Sequence, residues 1–504
     1  MKKYSDRAAV TWDAWFVNRG NTTHMFYLQN GPLAPCGDAR QGWAVGHATS
    51  DNGIDWTPME SVLPPLFDDR NPMDFHSKFT GCAVNRDDVC YLFYTMRDRE
   101  RGSQRIGVAI SHDWEHFEPW EGNPVVVNSP MPIPVSGGGM GTLIGYENLS
   151  DYDWNIVDCR DFIVVEEGEG YVGYWAAAAD LGGECPVGVI VMARSRDLLH
   201  WENQRIVYTV DHHGVLEVPD VFCMDGKWVL TCLSGMNYSG RAVTSDIYAS
   251  NATIVAYADS CEGPFKEPAQ GNILLAGPVQ SGFTCRSVLR DGRRYLYYID
   301  RAAGKNGVSL PKELRLVNGA LQACYCTLLD ARCLPPLPQS DYAREQNSFA
   351  WKTYGGEASQ SADGVLTLTT APKDYHAVSR AMPPEIAEEG NAMLSATVRV
   401  TGEGGGLFLR TAGCPYLLLL EPAWGRIALW KLYSFESIAA RSYPVQAGKT
   451  YRLRCILIDG VIELYVDDVL VLQCGLPTQP LTHLGFAADR GTLTATQISV
   501  CGME

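Results

Sequence analysis

The chain has 504 residues, of which 46% are hydrophobic, 20% charged and 10% aromatic, and its formal net charge is -17 at pH 7. This length exceeds the size at which a single core usually stops growing, so we expect two domains. The acidic balance repels phosphate backbones and anionic membrane surfaces, and no Lys/Arg-rich run offsets it. We therefore expect no nucleic-acid partner and no membrane partner.

Residues 1–7 are followed by no apolar stretch of the kind that forms a secretory signal. No segment approaches the roughly 18 to 20 apolar residues that span a bilayer. Many of the sixteen cysteines, among them Cys82, Cys223, Cys232 and Cys455, lie in apolar strand-like runs, and no CxxC pairs build a zinc site. We interpret them as reduced, buried small residues of a cytoplasmic protein, and we expect no metal and no cofactor. The sequence is compatible with a homo-oligomer as well as with a monomer.

Residues 10–330 contain five similar β-rich segments, each preceded by a short strand and a hairpin turn such as Asp225-Gly226. The segments span 24–27, 91–94, 171–175, 228–231 and 295–298. Four of the hairpins are followed by a third strand that ends in a polar turn and an aromatic residue: Trp56, Phe117, Trp201 or Phe265. Five copies of a unit of roughly 60 residues predict an all-β fold with a five-bladed β-propeller.

Counting back 14 residues from the end of each segment reaches a polar residue in every repeat: Asp13, Thr80, Asp161, Glu217 and Thr284. A single acid near a turn most often caps backbone amides. However, the first strand of each propeller blade lines the central channel, so residues in equivalent positions converge. Three acids brought together would repel one another and shift their pKa values, which proteins tolerate mainly at functional sites. The pattern predicts an active site in the channel.

Carboxyl groups in such a cluster suit cleavage of a glycosidic bond. One protonated carboxyl gives a proton to the leaving oxygen, and an ionised one attacks the anomeric carbon or activates water. A third can stabilise the positive charge that develops on the sugar ring.

Three motifs resemble glycoside hydrolase family 32, which includes β-fructofuranosidases, invertases and levanases. They are TWDAWF at 11–16 with FYLQ at 26–29, CRDF at 159–162 and LEVPD at 216–220. Segments GHATS at 46–50 and FTG at 79–81 are also similar to family segments. The resemblance implies that Asp13 is the nucleophile, Asp161 the transition-state stabiliser and Glu217 the acid/base. Phe162 and Val218 depart from the family motifs, which bears on the sugar specificity.

Further residues near the predicted channel ends are candidates for binding the sugar. They are Arg160, Gln29, Trp43, His47, Phe79, Thr80, Trp175 and Arg286. Arg160 could instead form a strand-supporting ion pair, the tryptophans could pack between blades, and His47 could be a core histidine. The stretch at 130–152 contains a glycine-rich run at 136–141, but it lacks the helix and lysine of a phosphate-binding loop. We expect 130–152 to form a long loop over the channel mouth.

The second domain follows a Pro-rich stretch, LPPLP at 334–338, that predicts a stiff linker. Alternating apolar and polar residues beyond it predict an antiparallel β-sandwich. We therefore expect a catalytic propeller over 1–335, a linker over 336–345 and a β-sandwich over 346–504.

The function that the resemblance implies is exo-acting removal of a terminal furanoside, foremost a β-D-fructofuranosyl group, from sucrose or short oligosaccharides by a retaining double displacement. An inverting arabinofuranosidase or xylosidase on the same fold is an alternative, since it would differ mainly in a wider separation of two carboxyls. A non-catalytic sugar-binding propeller is the alternative from another class.

Overall fold

The protein consists almost entirely of antiparallel β-strands. The computed structural model describes residues 3–5, 10–30, 43–63, 78–97, 104–144, 159–184, 186–209, 216–235, 251–269, 271–277, 283–302, 305–339, 342, 356–371, 374–434, 436–477 and 480–504. Within these ranges, no helix has the length and apolar character that crossing a membrane requires.

The N-terminal part of the chain forms sheets that succeed one another along the sequence. Blade 1 contains β1 (Val10–Arg19), β2 (Thr22–Asn30), β3 (Ala44–Ser50) and β4 (Thr57–Pro58). Blade 2 contains β5 (Lys78–Arg86), β6 (Val89–Arg97), β7 (Gln104–Ser111) and β8 (Glu118–Pro119). Blade 3 contains the added hairpin β9 (Ile133–Pro134) and β10 (Met140–Leu143), then β11 (Arg160–Glu167), β12 (Gly170–Asp180), β13 (Val187–Ser195) and β14 (Glu202–Thr209).

Two further sets of strands complete the propeller. Blade 4 contains β15 (Leu216–Met224), β16 (Lys227–Gly235), β17 (Asn251–Ala258) and β18 (Ile273–Gly277). Blade 5 contains β19 (Phe283–Arg290), β20 (Arg293–Ala302), β21 (Lys305–Val308), β22 (Lys312–Val317) and β23 (Ala320–Cys324). Four blades are sheets of their own, whereas the sheet of blade 5 continues into the C-terminal domain.

The first strands of the five blades form a closed ring. Strand β1 contacts β5, β5 contacts β11, β11 contacts β15, β15 contacts β19, and β19 returns to β1. The closure is held by Tyr297 of blade 5, whose hydroxyl donates to the carbonyl of Gly53 at 2.8 Å, and by Asn18, which donates to the carbonyl of Leu289 at 2.6 Å. The predicted five-bladed propeller is confirmed, and each first strand faces the common axis.

A repeated turn explains the sequence signal at the ends of the third strands. Asp113 of blade 2 accepts backbone N–H bonds from Glu115 and His116, both at 2.8 Å. Asp197 of blade 3 accepts the equivalent bonds, and Asn52 does so in blade 1. These side chains replace missing backbone partners, so the same short turn recurs in successive blades.

Apolar cores lie between consecutive blades. Trp15 and Phe26 of blade 1 pack with Leu92 and Tyr94 of blade 2, and similar clusters join blade 2 to blade 3 and blade 3 to blade 4. The cluster at blades 4, 5 and 1 also includes Tyr465 of the C-terminal domain. Because every blade buries a face against two neighbours, the ring fixes the positions of its inner strands.

The C-terminal domain is a sandwich of two sheets that share two long strands. Its elements are β24 (Gly356–Gln360), β25 (Leu366–Thr370), β26 (Tyr375–Ala381), α1 (Pro384–Glu389), β27 (Ala392–Thr411), β28 (Pro415–Glu421), β29 (Arg426–Lys431), β30 (Glu436–Ser442), β31 (Thr450–Ile458), β32 (Val461–Val466), β33 (Val469–Gly475) and β34 (Leu481–Gly502). Short 3-10 helices span Thr327–Arg332 and Pro422–Trp424. Strand β27 pairs with β31 through its first half and with β28 through its second half. Gly402 lies between the two halves of β27, where the strand changes partners. Its φ is +98°, and a Cβ there would lie 2.4 Å from the carbonyl of Arg490. The predicted β-sandwich is confirmed.

The Pro-rich stretch is packed along the last strand. The N–H of Leu334 donates to the carbonyl of Gly502 at 2.9 Å, and the N–H of Leu337 donates to Val500 at 2.8 Å. The expectation of a stiff spacer is therefore wrong for 334–337, because these residues are hydrogen-bonded into the sandwich. Residues 340–341 and 343–345 of the predicted linker lie outside the described residues, and the boundaries at 335 and 345 stay predictions.

The described cysteines are free thiols, and most of them are buried. Burial raises the pKa of the Cys82 and Cys455 thiols to about 12, so they stay protonated and pack as small apolar groups. Cys223 is exposed, which contradicts the expectation that it is buried. It pairs with Trp228 in the hairpin of blade 4, near the turn, where one face of the strand meets solvent.

Candidate active site

The first strand of every blade carries a β-bulge at the same place. The register shifts lie between Thr11 and Ala14, Phe79 and Cys82, Arg160 and Ile163, Glu217 and Asp220, and Phe283 and Arg286. A bulge inserts an unpaired residue and bends the strand, and such features commonly aim a side chain at a site. Here the bulges bring the predicted acids to one level of the channel.

The position six residues before the last paired residue of each first strand is shared by all blades. It holds Asp13, Thr80, Asp161, Val218 and Thr284, counted from Arg19, Arg86, Glu167, Met224 and Arg290. The expected common position is therefore wrong for Glu217, which precedes it by one residue. The residue of blade 4 that is equivalent to Tyr27 is Cys232 and not Thr231, because Cys232 lies five residues after Lys227, as Tyr27 lies five residues after Thr22. Counting back 14 residues from Cys232 reaches Val218.

Three of these shared positions have left-handed backbone. The φ angle is +64° at Asp161, +47° at Val218 and +52° at Thr284. Such a conformation costs roughly 1–3 kcal/mol in a residue with a side chain and persists only where the surroundings fix it. It is least expected at Val218, because a branched Cβ crowds the backbone there.

The three acids form one electrostatic cluster. Asp13 and Asp161 are buried, with 7% and 4% of their surfaces exposed, whereas the side chain of Glu217 is 37% exposed. Arg160 lies between two of them, because it donates to Glu217 Oε1 and its Nε is 3.6 Å from Asp161 Oδ2. The structure thus brings Asp13, Asp161, Glu217 and Arg160 together.

Burial and mutual repulsion shift the titration of the two buried acids. Burial and, to a smaller extent, repulsion by Asp161 raise the pKa of Asp13 to about 7, although a hydrogen bond from Thr80 opposes both effects. The pKa of Asp161 is raised to about 6, because the effect of burial outweighs the attraction to Arg160. One carboxyl oxygen of Asp13, Oδ1, is buried and has no hydrogen-bond partner among the described residues. The cluster therefore holds protons close to neutral pH and presents an unused acceptor.

Hydrogen bonds tie the bulges of blades 1 to 4 to neighbouring blades. The hydroxyl of Thr80 in blade 2 donates to Asp13 of blade 1. Thr95 of blade 2 accepts from the N–H of Asp161 at 3.0 Å and donates to the carbonyl of Thr80 at 2.7 Å. The N–H of Val218 donates to Asp161 Oδ2 at 2.9 Å. The sequence does not indicate that Thr95 or the N–H of Val218 belongs to the site, because their contacts with Asp161 depend on how neighbouring blades pack.

Arg286 occupies a different place from the one predicted. Its side chain is fully buried, with 1% of the residue exposed. It donates to the carbonyl of Pro219, to that of Asp161 at 3.1 Å and to that of Phe162 at 3.5 Å. The expectation that Arg286 contacts the sugar is therefore wrong, since the guanidinium lies against the backbone behind the acids.

Two further candidates lie in the cores between blades. Trp175 is 0% exposed, and its indole donates to Asn128 at 3.0 Å. His47 is 2% exposed, stacks on Phe26 with ring centroids 4.7 Å apart and lies 2.9 Å from a ring nitrogen of His24. Burial lowers the pKa of His47 to about 3, which keeps its ring neutral. The expectation that Trp175 and His47 contact the substrate is therefore wrong. Trp175 packs between blades, and His47 is a core histidine.

The remaining candidates lie at strand ends near the bulges. Phe79 directly precedes the bulge of blade 2, the position that Arg160 and Glu217 hold in theirs, and the guanidinium of Arg97 is 5.8 Å from its ring centroid. Gln29 pairs with Thr11 beside the blade 1 bulge and accepts from Ser61. Trp43 is half-buried, and its carbonyl accepts from the N–H of Lys78 at 3.1 Å. These positions fit the rim of a channel site.

The glycine-rich stretch does not lie over the acids. The N–H of Ser136 donates to the carbonyl of Ile206 on the outer strand of blade 3 at 2.8 Å, and its hydroxyl donates to the carbonyl of Glu262 in blade 4 at 2.5 Å. The expectation of a loop over the channel mouth is wrong for 136–141, and the residues at 145–152 lie outside the described ranges.

Comparisons with known proteins agree with this architecture. The glycosyl hydrolases family 32 N-terminal domain matches residues 16–136. A fructan 6-exohydrolase of Triticum aestivum is 27% identical over 209 residues, which span 40% of this chain and 30% of that protein. A sucrose-6-phosphate hydrolase of Pediococcus pentosaceus is 21% identical over 478 residues, which span 90% of this chain and 80% of that protein.

The fold is also found among solved structures. The GH32 β-fructofuranosidase of Bombyx mori superposes with a TM-score of 0.69 and 16% identity, over 100% of this chain and 93% of that one. At this identity the likeness concerns the fold. The sequence matches, the family-like motifs that meet in one cluster and the fold all show a similarity to glycoside hydrolase family 32.

Proposed function

We propose that the chain is an exo-acting glycoside hydrolase that removes a terminal β-D-fructofuranosyl group from sucrose or a short oligosaccharide. The observation that carries the proposal is the convergence of Asp13, Asp161 and Glu217 from three blades around Arg160. The relatives named above, a fructan exohydrolase and a sucrose-6-phosphate hydrolase, support the substrate class.

The environments of the acids support different roles for Asp13 and Glu217. Asp13 is buried and has an unpaired carboxyl oxygen, as expected for a nucleophile that meets the anomeric carbon in a dry pocket. Glu217 is partly exposed, as expected for an acid/base that serves a departing group and then a water molecule. Asp161 is fixed by the N–H of Val218 and can stabilise positive charge on the ring.

In the proposed reaction, Glu217 gives its proton to the glycosidic oxygen while a carboxylate oxygen of Asp13 attacks the anomeric carbon. The carbon–oxygen bond to the leaving group breaks, and a covalent glycosyl ester forms on Asp13. Glu217, now ionised, takes a proton from water, and the oxygen of that water attacks the same carbon. The ester bond breaks and restores both carboxyl groups, with net retention at the anomeric carbon.

Hydrolysis assays on sucrose, short fructans and aryl furanosides test this proposal. We expect Asp13→Asn and Glu217→Gln to lose turnover, while the matched change Asp225→Asn, in the distant blade 4 turn, leaves it intact. Asn suits Asp225 because its φ is +49°. If the wild type binds sugar but neither site variant alters turnover, the chain is a sugar-binding propeller.

The stereochemistry of the first-formed product separates the two hydrolase mechanisms. NMR recorded during turnover should show the anomer of the substrate if Asp13 is a nucleophile. The opposite anomer would assign Asp13 as a general base and favour an inverting furanosidase or xylosidase.

We also propose a cytoplasmic location. The support is the packing of cysteines such as Cys82 and Cys455 as buried, protonated thiols, a use of cysteine typical of reducing compartments.

A further inference from the structure

Arg286 is a buried cation whose hydrogen bonds all go to backbone carbonyls. It lies on β19 of blade 5 and reaches across to blades 3 and 4, where it donates to Pro219, Asp161 and Phe162. A guanidinium is costly to bury unless its donors are satisfied; here both terminal nitrogens donate, whereas Nε has no hydrogen-bond partner among the described residues. The rigid planar fork can hold several acceptors in one geometry. This arginine therefore joins two separate segments at fixed distances.

The segments that it joins are the two bulges that present catalytic acids. Asp161 and Phe162 form the bulge of blade 3, and Val218 and Pro219 form that of blade 4, directly after Glu217. Both bulges contain a left-handed residue, with φ +64° at Asp161 and +47° at Val218. Such conformations need support from their surroundings, and donors aimed at the adjoining carbonyls supply it.

The charge of Arg286 acts on the same site. Four charged groups from four first strands face Asp161 or its immediate neighbours: Asp13, Arg160, Glu217 and Arg286. Burial raises the pKa of Asp161, and the cations Arg160 and Arg286 oppose that effect, while Glu217 adds to it. Arg286 thus favours the ionised form of Asp161 from a side that the substrate does not reach.

We propose that Arg286 is a positioning residue for the hydrolysis: its fork sets the bulges of blades 3 and 4 so that Asp161 and Glu217 converge on the bond next to Asp13. The inference rests on the proposed function. It differs from substrate binding, because 1% exposure leaves the side chain no surface for a sugar.

Arg286→Met and Arg286→Lys test the role, with Lys312→Met as the matched control. Lys312 is another buried cation of blade 5, but it pairs with Glu463 of the sandwich at 2.5 Å. We expect Arg286→Met to lower kcat about 10- to 100-fold with a smaller change in KM, because misplaced acids harm the transition state more than ground-state binding. The acid limb of kcat/KM should move to higher pH, since a charge that favours ionised Asp161 is lost.

The lysine variant separates charge from geometry. It keeps the positive charge, so the acid limb should stay at its wild-type pH, but one ammonium cannot span both bulges, so kcat should recover only in part. Lys312→Met should lower the unfolding midpoint and leave the pH profile and kcat unchanged.

Several outcomes would overturn the inference. One is a wild-type kcat and pH profile in Arg286→Met while Asp13→Asn abolishes turnover, which refutes positioning but keeps the proposed function. Another is activity in Arg286→Met that falls only in proportion to its folded fraction, as in the control. If Arg286→Met does not fold, a wild-type kcat in Arg286→Lys refutes the role of the fork. If the wild type itself hydrolyses no glycoside, the proposed function fails and this inference falls with it.

Discussion

The N–H of Val218 lies 2.9 Å from Oδ2 of Asp161, so the segment that carries Glu217, the proposed acid/base, is hydrogen-bonded to the neighbouring carboxylate. Val218 directly follows Glu217, and its left-handed backbone turns the N–H towards blade 3. Asp161 is therefore linked to the backbone next to Glu217 by this hydrogen bond, and to the Glu217 carboxyl group through Arg160.

Substitutions of Asp161 should separate its charge from its role as an acceptor. In Asp161→Asn, the amide oxygen can still accept from Val218, so the fold should be kept while kcat falls about 10²- to 10³-fold, because charge stabilisation is lost. Asp161→Ala should in addition lose about 1–3 kcal/mol of unfolding free energy, since a buried N–H is left unpaired. Steady-state kinetics and chemical unfolding of both variants check this. Equal unfolding free energies for the two variants would contradict it.

The pH dependence of kcat/KM should report the ionisation of Asp13 together with that of Asp161. The proposed nucleophile must be ionised, and its pKa is raised to about 7, so kcat/KM should fall as the pH drops below about 7. Thr80→Val removes the hydrogen bond that lowers this pKa and should move the acid limb to higher pH. An acid limb that stays in place in this variant would show that another group controls it.

Asp13 should also impose a pH-dependent penalty on stability. Its pKa is about 7 in the folded protein and near 3.8 when unfolded, so the folded state binds more protons between these values. Stability is then lost as the pH rises from about 4 to 7. Asp13→Asn removes this penalty, so its advantage in unfolding free energy over the wild type should grow through that window and level off above pH 7. Urea unfolding at a series of pH values measures the difference, and a constant difference would contradict the assignment.

Much of the fold could be predicted because the repeat is encoded locally. Strand alternation, two-residue turns such as Asp225-Gly226 and the Asp113-type turns all depend on neighbouring residues, and each recurs from blade to blade. Strand pairing across a tight turn also fixes the approximate level of each first strand. Asp13 and Asp161 could therefore be placed together from sequence.

Contacts between blades, which the sequence does not encode locally, determine the positions of the other residues. The one-residue offset of Glu217 depends on where the hairpin register ends, and Arg286 resembles a channel residue until its partners Pro219 and Asp161 are known. His47 and Trp175 were ambiguous because a strand position alone does not show which face packs against the next blade. Only the closed ring decides these contacts.

His47 should affect stability without affecting substrate affinity. We expect His47→Gln to keep a polar partner for His24 and to destabilise the protein by disturbing the stack on Phe26, with KM unchanged. Arg160→Lys is the contrasting variant, because its side chain contacts Glu217 and Asp161 and should alter kinetics. A raised KM in His47→Gln, with unfolding unchanged, would return His47 to the binding site.

The junction between the domains should depend on one buried ion pair. Lys312 of blade 5 is 2.5 Å from Glu463 of the sandwich, and Glu463 also accepts from the hydroxyls of Tyr298 at 2.6 Å and Tyr465 at 2.7 Å. Removing one partner of such a pair leaves an uncompensated buried charge and typically costs about 3–5 kcal/mol. We expect that loss of unfolding free energy in Lys312→Met.

The double variant Lys312→Met with Glu463→Gln should recover part of this loss, because no buried charge is left unpaired: the amide oxygen accepts from one tyrosine, and the amide NH2 can donate to the hydroxyl oxygen of the other. Glu403→Gln is the control, since its ion pair with Arg490 is about half exposed and should contribute less than about 1 kcal/mol. Urea unfolding of the four proteins, including the wild type, measures these differences. A loss in Lys312→Met no larger than in Glu403→Gln, or a double variant weaker than the single one, would show that the pair does not hold the domains together.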